Sequence, residues 1–426
     1  MKFKITSITN DGKSLIYIYN NITQDIFINN KNINLKEDPR LVNFTNHIIF
    51  SKKEFKVRTK KIKDLYIQLG FDCNYHCKYC SQANDRKYNK KIILIKNNID
   101  LDSFLNRLEK LNINPQKIIF WGGEPFVYIK QWKKLMPRIK EIFPNSIYYT
   151  VTNGSLLNKD NIDFCINNNI QISMSHDGEG FNANRNDKNP LDNKDIINNI
   201  NYYLDHCSIN PKLKFEFRVV ITPDNCNILN LENYFKEKVG RIVPFHFECI
   251  AKLDSYSTNI VKHFDKKTIN ILLNQMYSVC TTENNNHPYK SLRDLTSNVI
   301  DRLVNKLNLN DFRYYCRNVN SNHLAIDLQG NLLACHSMTA SLGKYGTMED
   351  AFSKVPSNEL VKGWDQREQC KKCPVLVSCI GGCTIAKDND HKIACENLKI
   401  YHLGLFISAW KLIFNNTIIK IEPYLE

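Results

Sequence analysis

Short apolar strands alternate with helix-like stretches through the middle of the chain, and this alternation limits the fold more than any other feature. Six strand-like segments stand out: LYIQLGF, KIIFW, SIYYTVTNG, IQISMSHDG, LKFEFRVVI and VPFHFECI. Stretches such as LDSFLNRLEKLN and IKQWKKLMPRIKEIF lie between them. Strands that alternate with helices predict a parallel sheet with helices outside. Six units are too few for a complete eight-unit barrel, so we predict an α/β fold, a partial (β/α)6 TIM-like barrel.

The chain changes character on either side of this alternation. The N-terminal residues read as short alternating strands separated by Asn, Asp and Gly, and the C-terminal third is rich in cysteine. We therefore predict five parts: a β-rich N-terminal segment (1–62), the partial barrel (63–265), a helical bridge (266–310), a cysteine-rich domain (311–400), and a C-terminal helix and tail (401–426).

Composition limits the cellular compartment and the binding partners that we expect for this chain. The chain has 15 cysteines, an odd number, with no signal sequence and no apolar run long enough to cross a bilayer. We expect a cytoplasmic protein whose cysteines bind metal rather than form disulfides, with no membrane partner. The formal charge of +15 comes from lysines spread along the whole chain. It fits attraction of an acidic peptide better than nucleic-acid binding.

Three cysteines follow the first barrel strand within the stretch LGFDCNYHCKYCSQA: Cys73, Cys77 and Cys80. Loops at the carboxyl ends of barrel strands are where such folds place their chemistry. A structural zinc site needs four ligands. His76 could be the fourth ligand in principle, but its position among the cysteines is crowded. Three thiolates suit a [4Fe–4S] cluster with one iron left open for a small molecule.

The spacing Cys-x3-Cys-x2-Cys, with Tyr79 just before the last cysteine, resembles the signature of the radical SAM superfamily, whose enzymes use S-adenosylmethionine (SAM). Later strands end in WGGEPF, TVTNG and SMSHDG, which are similar to motifs that line the SAM site in that family. The resemblance implies a radical SAM barrel and SAM contacts from Tyr79, Gly122, Gly123, Glu124, Thr152, Asn153, Ser175, Arg185 and Ile221.

Within this set the resemblance implies different roles. Glu124 is expected to receive the amino group of the methionine half of SAM, and Ser175 and Arg185 to contact its ribose or carboxylate. An ordinary loop arginine is an equal alternative for Arg185, and an apolar core position is an alternative for Ile221. The resemblance also implies the mechanism, in which one electron from the cluster breaks the S–C5′ bond and the resulting 5′-deoxyadenosyl radical takes a hydrogen from the substrate.

Seven cysteines in the C-terminal region match the SPASM extension of this superfamily, which carries two auxiliary [4Fe–4S] clusters. The resemblance implies three clusters in all. It assigns Cys370, Cys373, Cys379 and Cys395 to the outer auxiliary cluster, and Cys316, Cys335 and Cys383 to the inner one.

The inner set lacks a fourth cysteine. Relatives with full ligation have one just before the first cysteine of the pattern, and LNLNDFRYY in this chain contains none. Either the inner cluster has an open iron, or Cys249 or Cys280 reaches it. An open iron binds a substrate thiolate, whereas a closed cluster only carries electrons.

The subgroup mostly modifies peptides, so we expect a ribosomally made and post-translationally modified peptide (RiPP) precursor as substrate, with a C–C or thioether crosslink as product. The alternative is an anaerobic sulfatase-type formylglycine maturase. Those relatives place an aspartate base directly after the second SPASM cysteine, where this chain has His336. An imidazole can act as a base or only as a hydrogen-bonding group, and the sequence favours neither role.

Partners follow from the same resemblance. The first 62 residues are too short for a complete leader-binding module, so we expect a precursor peptide with a leader and possible help from a separate leader-binding protein. The electron donor is expected to be a flavodoxin or ferredoxin. An alternative of another class is a zinc-binding, nucleic-acid-binding protein, which rests on the charge and the cysteine pairs.

Overall fold

A computed structural model gives the fold. It describes residues 1–44, 51–52, 57–80, 82, 99–185, 187–249, 262–282, 287–314, 322–357 and 359–424.

The strands are β1 (Lys2–Thr9), β2 (Ser14–Asn20), β3 (Ile26–Ile28), β4 (Lys31–Asn32), β5 (Ser51–Lys52), β6 (Asp64–Gly70), β7 (Lys117–Gly122), β8 (Ile147–Thr152), β9 (Ile170–Ser175), β10 (Phe215–Ile221), β11 (Phe245–Cys249), β12 (Phe312–Tyr314), β13 (His323–Asp327), β14 (Asn331–Leu333), β15 (Lys344–Thr347) and β16 (Asn416–Pro423).

The α-helices are α1 (Leu101–Lys110), α2 (Ile129–Ile142), α3 (Lys159–Asn167), α4 (Phe181–Arg185), α5 (Lys194–Ile209), α6 (Ile228–Val239), α7 (Lys266–Thr281), α8 (Lys290–Val304), α9 (Ala340–Gly343), α10 (Glu368–Lys371), α11 (Leu376–Cys379) and α12 (Asp388–Phe414). The described 3-10 helices are Leu35–Glu37, Pro39–Phe44, Pro125–Tyr128, Gly178–Gly180, Pro190–Asp192, Pro223–Asn225, His287–Tyr289, Leu309–Asp311, Met348–Asp350 and Trp364–Gln366.

The predicted α/β fold is confirmed. Strands β6 to β11 lie side by side and parallel in chain order, and helices connect them. Side-chain alternation explains the two faces of this sheet: in β10, Phe215, Phe217, Val219 and Ile221 are buried on the helix side. Phe217, for example, stacks on Phe235 of α6 with ring centroids 4.1 Å apart. The intervening residues face the barrel interior.

Local signals account for the helices around the barrel. Helix α1 begins after Asp100, whose side chain accepts the backbone N–H of Ser103 at 2.9 Å. Its buried residues Phe104, Leu105 and Leu108 lie on one face at helical spacing. The described part of the chain contains no helix with both the length and the apolar composition needed to cross a membrane.

The central sheet extends beyond the barrel into the cysteine-rich region. Strand β13 pairs in parallel with β6, and β14 and β15 continue the sheet in antiparallel fashion. The first barrel strand therefore has a cysteine-region strand as its other neighbour. This pairing fixes the position of the segment that follows β14, which carries Cys335 and His336.

The two ends of the described chain share a second, five-stranded sheet of order β16–β1–β2–β3–β4. The N-terminal strands agree with the sequence interpretation, but the C-terminal part differs from it. The last helix begins at Asp388 rather than near residue 401, because its first turns are polar and carry no apolar signal. The expected tail is a strand, whose register with β1 runs from Phe3↔Pro423 to Thr9↔Asn416.

Asn416 joins this sheet to α12. It is 1% exposed, its Oδ1 accepts the Trp410 indole N–H at 3.0 Å, and its Nδ2 donates to the Tyr17 hydroxyl at 2.9 Å. We expect Asn416→Ala to lower the free energy of unfolding by about 1–3 kcal/mol, because it leaves buried polar groups without partners. Urea unfolding measures this. Asn10→Ala, at an exposed position in the turn after β1, is the control, and equal losses in the two variants would contradict the account.

Candidate active site

Four strand ends meet at one edge of the barrel sheet. The cysteine loop follows β6, Gly123 and Glu124 follow β7, Asn153 follows β8, and Asp177 lies just after β9. Because the strands are parallel, their carboxyl ends lie together. The motifs selected from the sequence are thus collected at the same edge.

The two glycines after β7 permit close contact between backbones. A Cβ on Gly122 would lie 2.4 Å from the Gly70 carbonyl oxygen, and one on Gly123 would lie 2.3 Å from the carbonyl oxygen of Phe71. The Gly123 N–H donates to Gly70 O at 3.0 Å, and the Glu124 N–H donates to Asp72 O at 2.8 Å. The glycines therefore bring the end of β7 against the start of the cysteine loop.

The carboxylate of Glu124 connects β7 to β8. It is fully buried and accepts hydrogen bonds from Thr152 Oγ1 at 2.7 Å, the Asn153 N–H at 2.7 Å and the Phe126 N–H at 3.2 Å. Burial raises the pKa of Glu124 to about 7, and these donors oppose the rise. The contact of Glu124 with the SAM amino group stays a prediction.

Polar groups surround the sulfur of Cys73. Asn153 Nδ2 lies 3.7 Å from Cys73 Sγ and donates to Asn74 Oδ1 at 2.9 Å, and the Tyr75 N–H lies 3.4 Å from the same sulfur. Such donors suit a sulfur that carries negative charge, as a thiolate bound to iron does. The residues present therefore fit an iron–sulfur cluster at this loop.

A buried ion pair holds the other side of the loop. Asp177 is fully buried and accepts hydrogen bonds from Arg185 Nε at 3.0 Å and the Tyr79 hydroxyl at 2.7 Å. Burial opposes the charge of Arg185, but Asp177 raises its pKa well above the usual value. Arg185 Nη1 also lies 3.9 Å from Cys77 Sγ. The sequence interpretation gave Tyr79 and Arg185 to SAM and missed Asp177 as their shared partner.

The loop cysteines are thiols, as is every cysteine whose side chain the structure describes. Burial raises the pKa of the Cys77 thiol to about 12, and the nearby Arg185 guanidinium opposes that rise. Iron binding requires the thiolate, so ligation would release a proton from each cysteine. Arg185 favours the charged form that a metal needs.

The last two predicted SAM contacts lie apart from each other. Ser175 is half-buried at the end of β9, where it pairs with Arg218 of β10. Ile221 is 2% exposed on the helix side of β10, the face it shares with Phe217. The structure therefore does not bring the Ile221 side chain to the barrel interior, because strand alternation turns it outward.

His336 lies against two barrel strands. Its ring stacks on Tyr66 of β6 with centroids 4.4 Å apart at 8°, and meets Trp121 of β7 edge-on at 4.5 Å. Gln68 Nε2 donates to the His336 carbonyl at 2.8 Å and to the Met338 carbonyl at 3.0 Å. Burial lowers the pKa of His336 to about 4, so the imidazole is neutral near pH 7.

A charged network inside the barrel was not among the predicted site residues. Arg218 pairs with Glu248 of β11 and donates from Nε to Ser173 Oγ at 3.3 Å and from Nη2 to the Tyr149 hydroxyl at 2.9 Å. The signal was present in the sequence, because FEFRVVI alternates charged with apolar residues, which places Glu216 and Arg218 on the interior face.

Four of the proposed auxiliary cysteines lie in two separate apolar clusters. Cys370 and Cys373 pack in one apolar cluster with Leu309, Trp364, Leu376 and Ile380. Cys335 and Cys383 lie in another, around Ala334, Val361 and Ile385.

Electrostatic coupling links Cys395 to the first of these clusters. Burial raises the pKa of Cys395 to about 11, and Cys373 raises it further. Cys379 Sγ lies 3.6 Å from where a Cβ on Gly382 would be.

Cys316 lies outside the described residues, and so does the side chain of Cys249. Across the residues that the structure describes, no three His, Cys, Asp or Glu side chains are arranged as ligands of a single metal ion.

One candidate for a fourth inner ligand lies among the helices outside the barrel sheet. Cys280 is 5% exposed in α7, where its thiol interacts with Thr296 of α8 and Ser408 of α12. Cys280 is therefore a buried core residue between these three helices.

Comparison with known proteins defines the class. Residues 67–210 match the family model described as the Radical SAM superfamily. This part of the chain is a radical SAM domain, and the cofactors that this family implies are SAM and a [4Fe–4S] cluster.

Relatives of known activity cover most of the chain. The cysteine-type anaerobic sulfatase-maturating enzyme of Clostridium perfringens is 24% identical over 341 residues, which are 76% of this chain and 89% of the relative. The radical SAM cyclopropyl synthase TigE of Paramaledivibacter caminithermalis is 22% identical over 372 residues, 80% of this chain and 73% of the relative.

Solved structures agree on the fold. Native anSMEcpe with bound AdoMet superimposes with a TM-score of 0.54 at 19% identity, over 83% of this chain and 99% of that one. The same protein with AdoMet and the Cp18Cys peptide gives 0.53 at 19% identity, over 83% of this chain and 98% of that one. The expected radical SAM fold is confirmed.

The ion pair at the cysteine loop generates a prediction. Asp177→Asn leaves the buried Arg185 without its counter-charge, so we expect the free energy of unfolding to fall by about 3–5 kcal/mol, with less iron at the loop. Urea unfolding and iron analysis after anaerobic purification measure both effects. Asp163→Asn, which breaks the exposed pair with Lys159, is the control. Similar behaviour of the two variants would refute a special role for Asp177.

Glu124 gives a prediction about pH. Its folded pKa of about 7 exceeds the ordinary value of 4.5, so the folded state binds the proton more tightly than the unfolded chain. The stability that protonation contributes is full below 4.5 and is lost as pH rises through 7. Relative to Glu124→Gln, the wild type should lose stability between about pH 5 and 8, by at most about 1.4 kcal/mol per pH unit.

Unfolding titrations at several pH values test this expectation. Glu349 supplies the control, because its hydrogen bond with Arg107 lowers its pKa to about 2, and Glu349→Gln should leave the pH dependence in this window unchanged. A wild-type stability that rises with pH relative to Glu124→Gln would show that Glu124 is stabilised in the charged form instead.

Proposed function

We propose that this enzyme binds SAM against a [4Fe–4S] cluster held by Cys73, Cys77 and Cys80, and uses the 5′-deoxyadenosyl radical to take hydrogen from a peptide. When bound, the cluster and SAM supply the one-electron cleavage of the S–C5′ bond that generates this radical. The observation that carries the proposal is the three-cysteine loop, packed against the ends of β7, β8 and β9 with donors directed at its sulfurs.

The residues of the chain bind, orient and shield. Arg185 compensates negative charge at Cys77, and the Asn153 amide donates a hydrogen bond to Cys73. The glycines after β7 keep the loop closely packed. Tyr79 closes the loop onto Asp177, so the cysteines approach one another in a fixed frame. In this proposal the backbone around Gly122 and Gly123, with Glu124, Thr152 and Ser175, forms the SAM contacts.

A peptide substrate is the best-supported class. Two relatives are named as a sulfatase-maturating enzyme and a cyclopropyl synthase, and the anSMEcpe fold is known with a peptide bound. We infer a RiPP precursor, with a C–C or thioether crosslink or a related modification as product. The C-terminal cysteines would hold two auxiliary clusters. A flavodoxin or ferredoxin as electron donor, a separate leader-binding protein and a cytoplasmic location belong to the same proposal.

A second candidate is formylglycine formation in a sulfatase, favoured by the likeness to the anaerobic sulfatase-maturating enzymes. His336 is the discriminating residue. Its ring is neutral near pH 7 and packed between Tyr66 and Trp121, so it can accept a proton or a hydrogen bond without the negative charge of an aspartate. This difference favours a reaction other than that of the sulfatase maturases.

The proposal predicts that reduced, anaerobically reconstituted enzyme releases 5′-deoxyadenosine from SAM. The triple variant C73A/C77A/C80A should abolish the release and lose about four irons per chain, the content of one cube. Cys207→Ala, which removes a thiol outside both cysteine groups, should retain both properties. Chromatography of the nucleoside and iron and sulfide assays give the readouts, and release by the triple variant would overturn the assignment.

Peptides then separate the two substrate classes. A short peptide encoded beside the gene should become lighter by two hydrogens when a crosslink forms, as mass spectrometry detects. If that peptide is unchanged while a sulfatase peptide is converted to formylglycine, the second candidate replaces the first.

A further inference from the structure

One of the largest fully buried side chains in the described structure belongs to an arginine, Arg367, which is 2% exposed. It directly follows the 3-10 helix Trp364–Gln366 and precedes α10, which carries Cys370. A buried guanidinium is costly unless its charge is compensated and its donors are satisfied. Its surroundings therefore indicate what it is there to bind.

Two of its nitrogens hold the turn between the proposed outer and inner ligands. Nη1 donates to the carbonyls of Gly381 and Cys383, both at 2.9 Å, and Nη2 donates to the carbonyl of Ala386 at 2.8 Å. Ile380, Gly381 and Gly382 all have positive φ, at 45°, 84° and 62°. Arg367 thus fixes a tight turn that begins after Cys379 and leads to Cys383.

The charge of this guanidinium lacks a carboxylate partner among the described residues. Burial lowers the pKa of Arg367, and the groups that oppose this fall are, in order, Cys370, Cys383, Asp388 and Cys379. Asp388 itself pairs with Lys362 at 2.6 Å. Arg367 Nε is buried with no hydrogen-bond partner in the described structure. Three of the four nearby groups that can become anions are therefore cysteines assigned to the two auxiliary clusters.

We propose that Arg367 is a positioning residue shared by the two auxiliary sites: it fixes the Cys379–Cys383 turn and balances the negative charge of the thiolate-ligated clusters. This inference rests on the proposed auxiliary clusters. Positive charge and hydrogen bonds near a cluster stabilise its more reduced, more negative state and raise its reduction potential. The Arg367 side chain would then affect both the assembly of the two auxiliary clusters and their reduction potentials.

Arg302 offers a matched control. It is also 2% exposed, and its Nη1 donates to the carbonyls of Val377 and Ser378 at 2.8 and 2.9 Å, in the same cysteine-rich region. Burial, rather than Arg302, is the main cause of the raised pKa values of Cys370, Cys373 and Cys395. Replacing Arg302 therefore tests the loss of a buried arginine that holds backbone carbonyls in the same region.

The experiment uses the full chain carrying C73A/C77A/C80A, so that only auxiliary clusters contribute iron and electron paramagnetic resonance signals. Arg367→Met should lower the iron and sulfide content by about half, and shift the midpoint potential of the remaining clusters downward. Arg367→Lys keeps the positive charge but loses the planar guanidinium that donates to several carbonyls at once. We therefore expect partial iron loss, with a midpoint potential closer to that of the parent. Arg302→Lys should leave both quantities unchanged.

The outcomes separate the two proposals. If the parent triple variant binds no iron, the auxiliary clusters are absent, and this inference falls with that part of the proposed function. If it binds iron and Arg367→Met and Arg367→Lys both match it in iron content and midpoint potential, the clusters stand and the role of Arg367 is refuted. A fall in potential with Arg302→Lys equal to that with Arg367→Lys would likewise refute it.

Discussion

Two backbone hydrogen bonds, from Gly123 to Gly70 and from Glu124 to Asp72, are the contact on which the site depends. They join the end of β7 to the start of the cysteine loop, at a separation that no side chain on Gly123 would allow. Glu124 then carries the connection to β8 through Thr152 and Asn153. Each strand end is thus held by the end of the neighbouring strand. The order of the strands in the sheet therefore determines how the site residues are arranged.

The cysteine-rich region is joined to the barrel by strand pairing and side-chain hydrogen bonds, in addition to the connecting chain. Strand β13 lies directly beside β6, and Gln68 of β6 holds the carbonyls on either side of Ser337. Arg107 of α1 makes a bidentate pair with Glu349 on the outside. The barrel and the segment that carries Cys335 therefore share one sheet, so strand spacing sets the distance between them.

The sequence allowed the barrel, its strand-end motifs and the grouping of the cysteines to be predicted, because periodicity and spacing are local properties of the chain. It did not reveal the pairing of β13 with β6, since a strand's pattern marks its faces but not its neighbour. Asp177 was seen as part of a motif, yet its ion pair with Arg185 depends on folding. The early start of α12 was missed because its first turns are polar. Ile221 was placed by motif, whereas alternation along β10 turns it outward.

The sheet that contains β1 and β16 also constrains how the chain is made. Synthesis runs from the amino terminus, so β1 to β4 are made well before β16 and before α12, whose Trp410, Phe414 and Phe406 pack on Tyr17 and Tyr19. Until α12 is made, the apolar face of this sheet lacks the cover that these aromatic rings provide. A chaperone that binds apolar strands would protect that face in the interval.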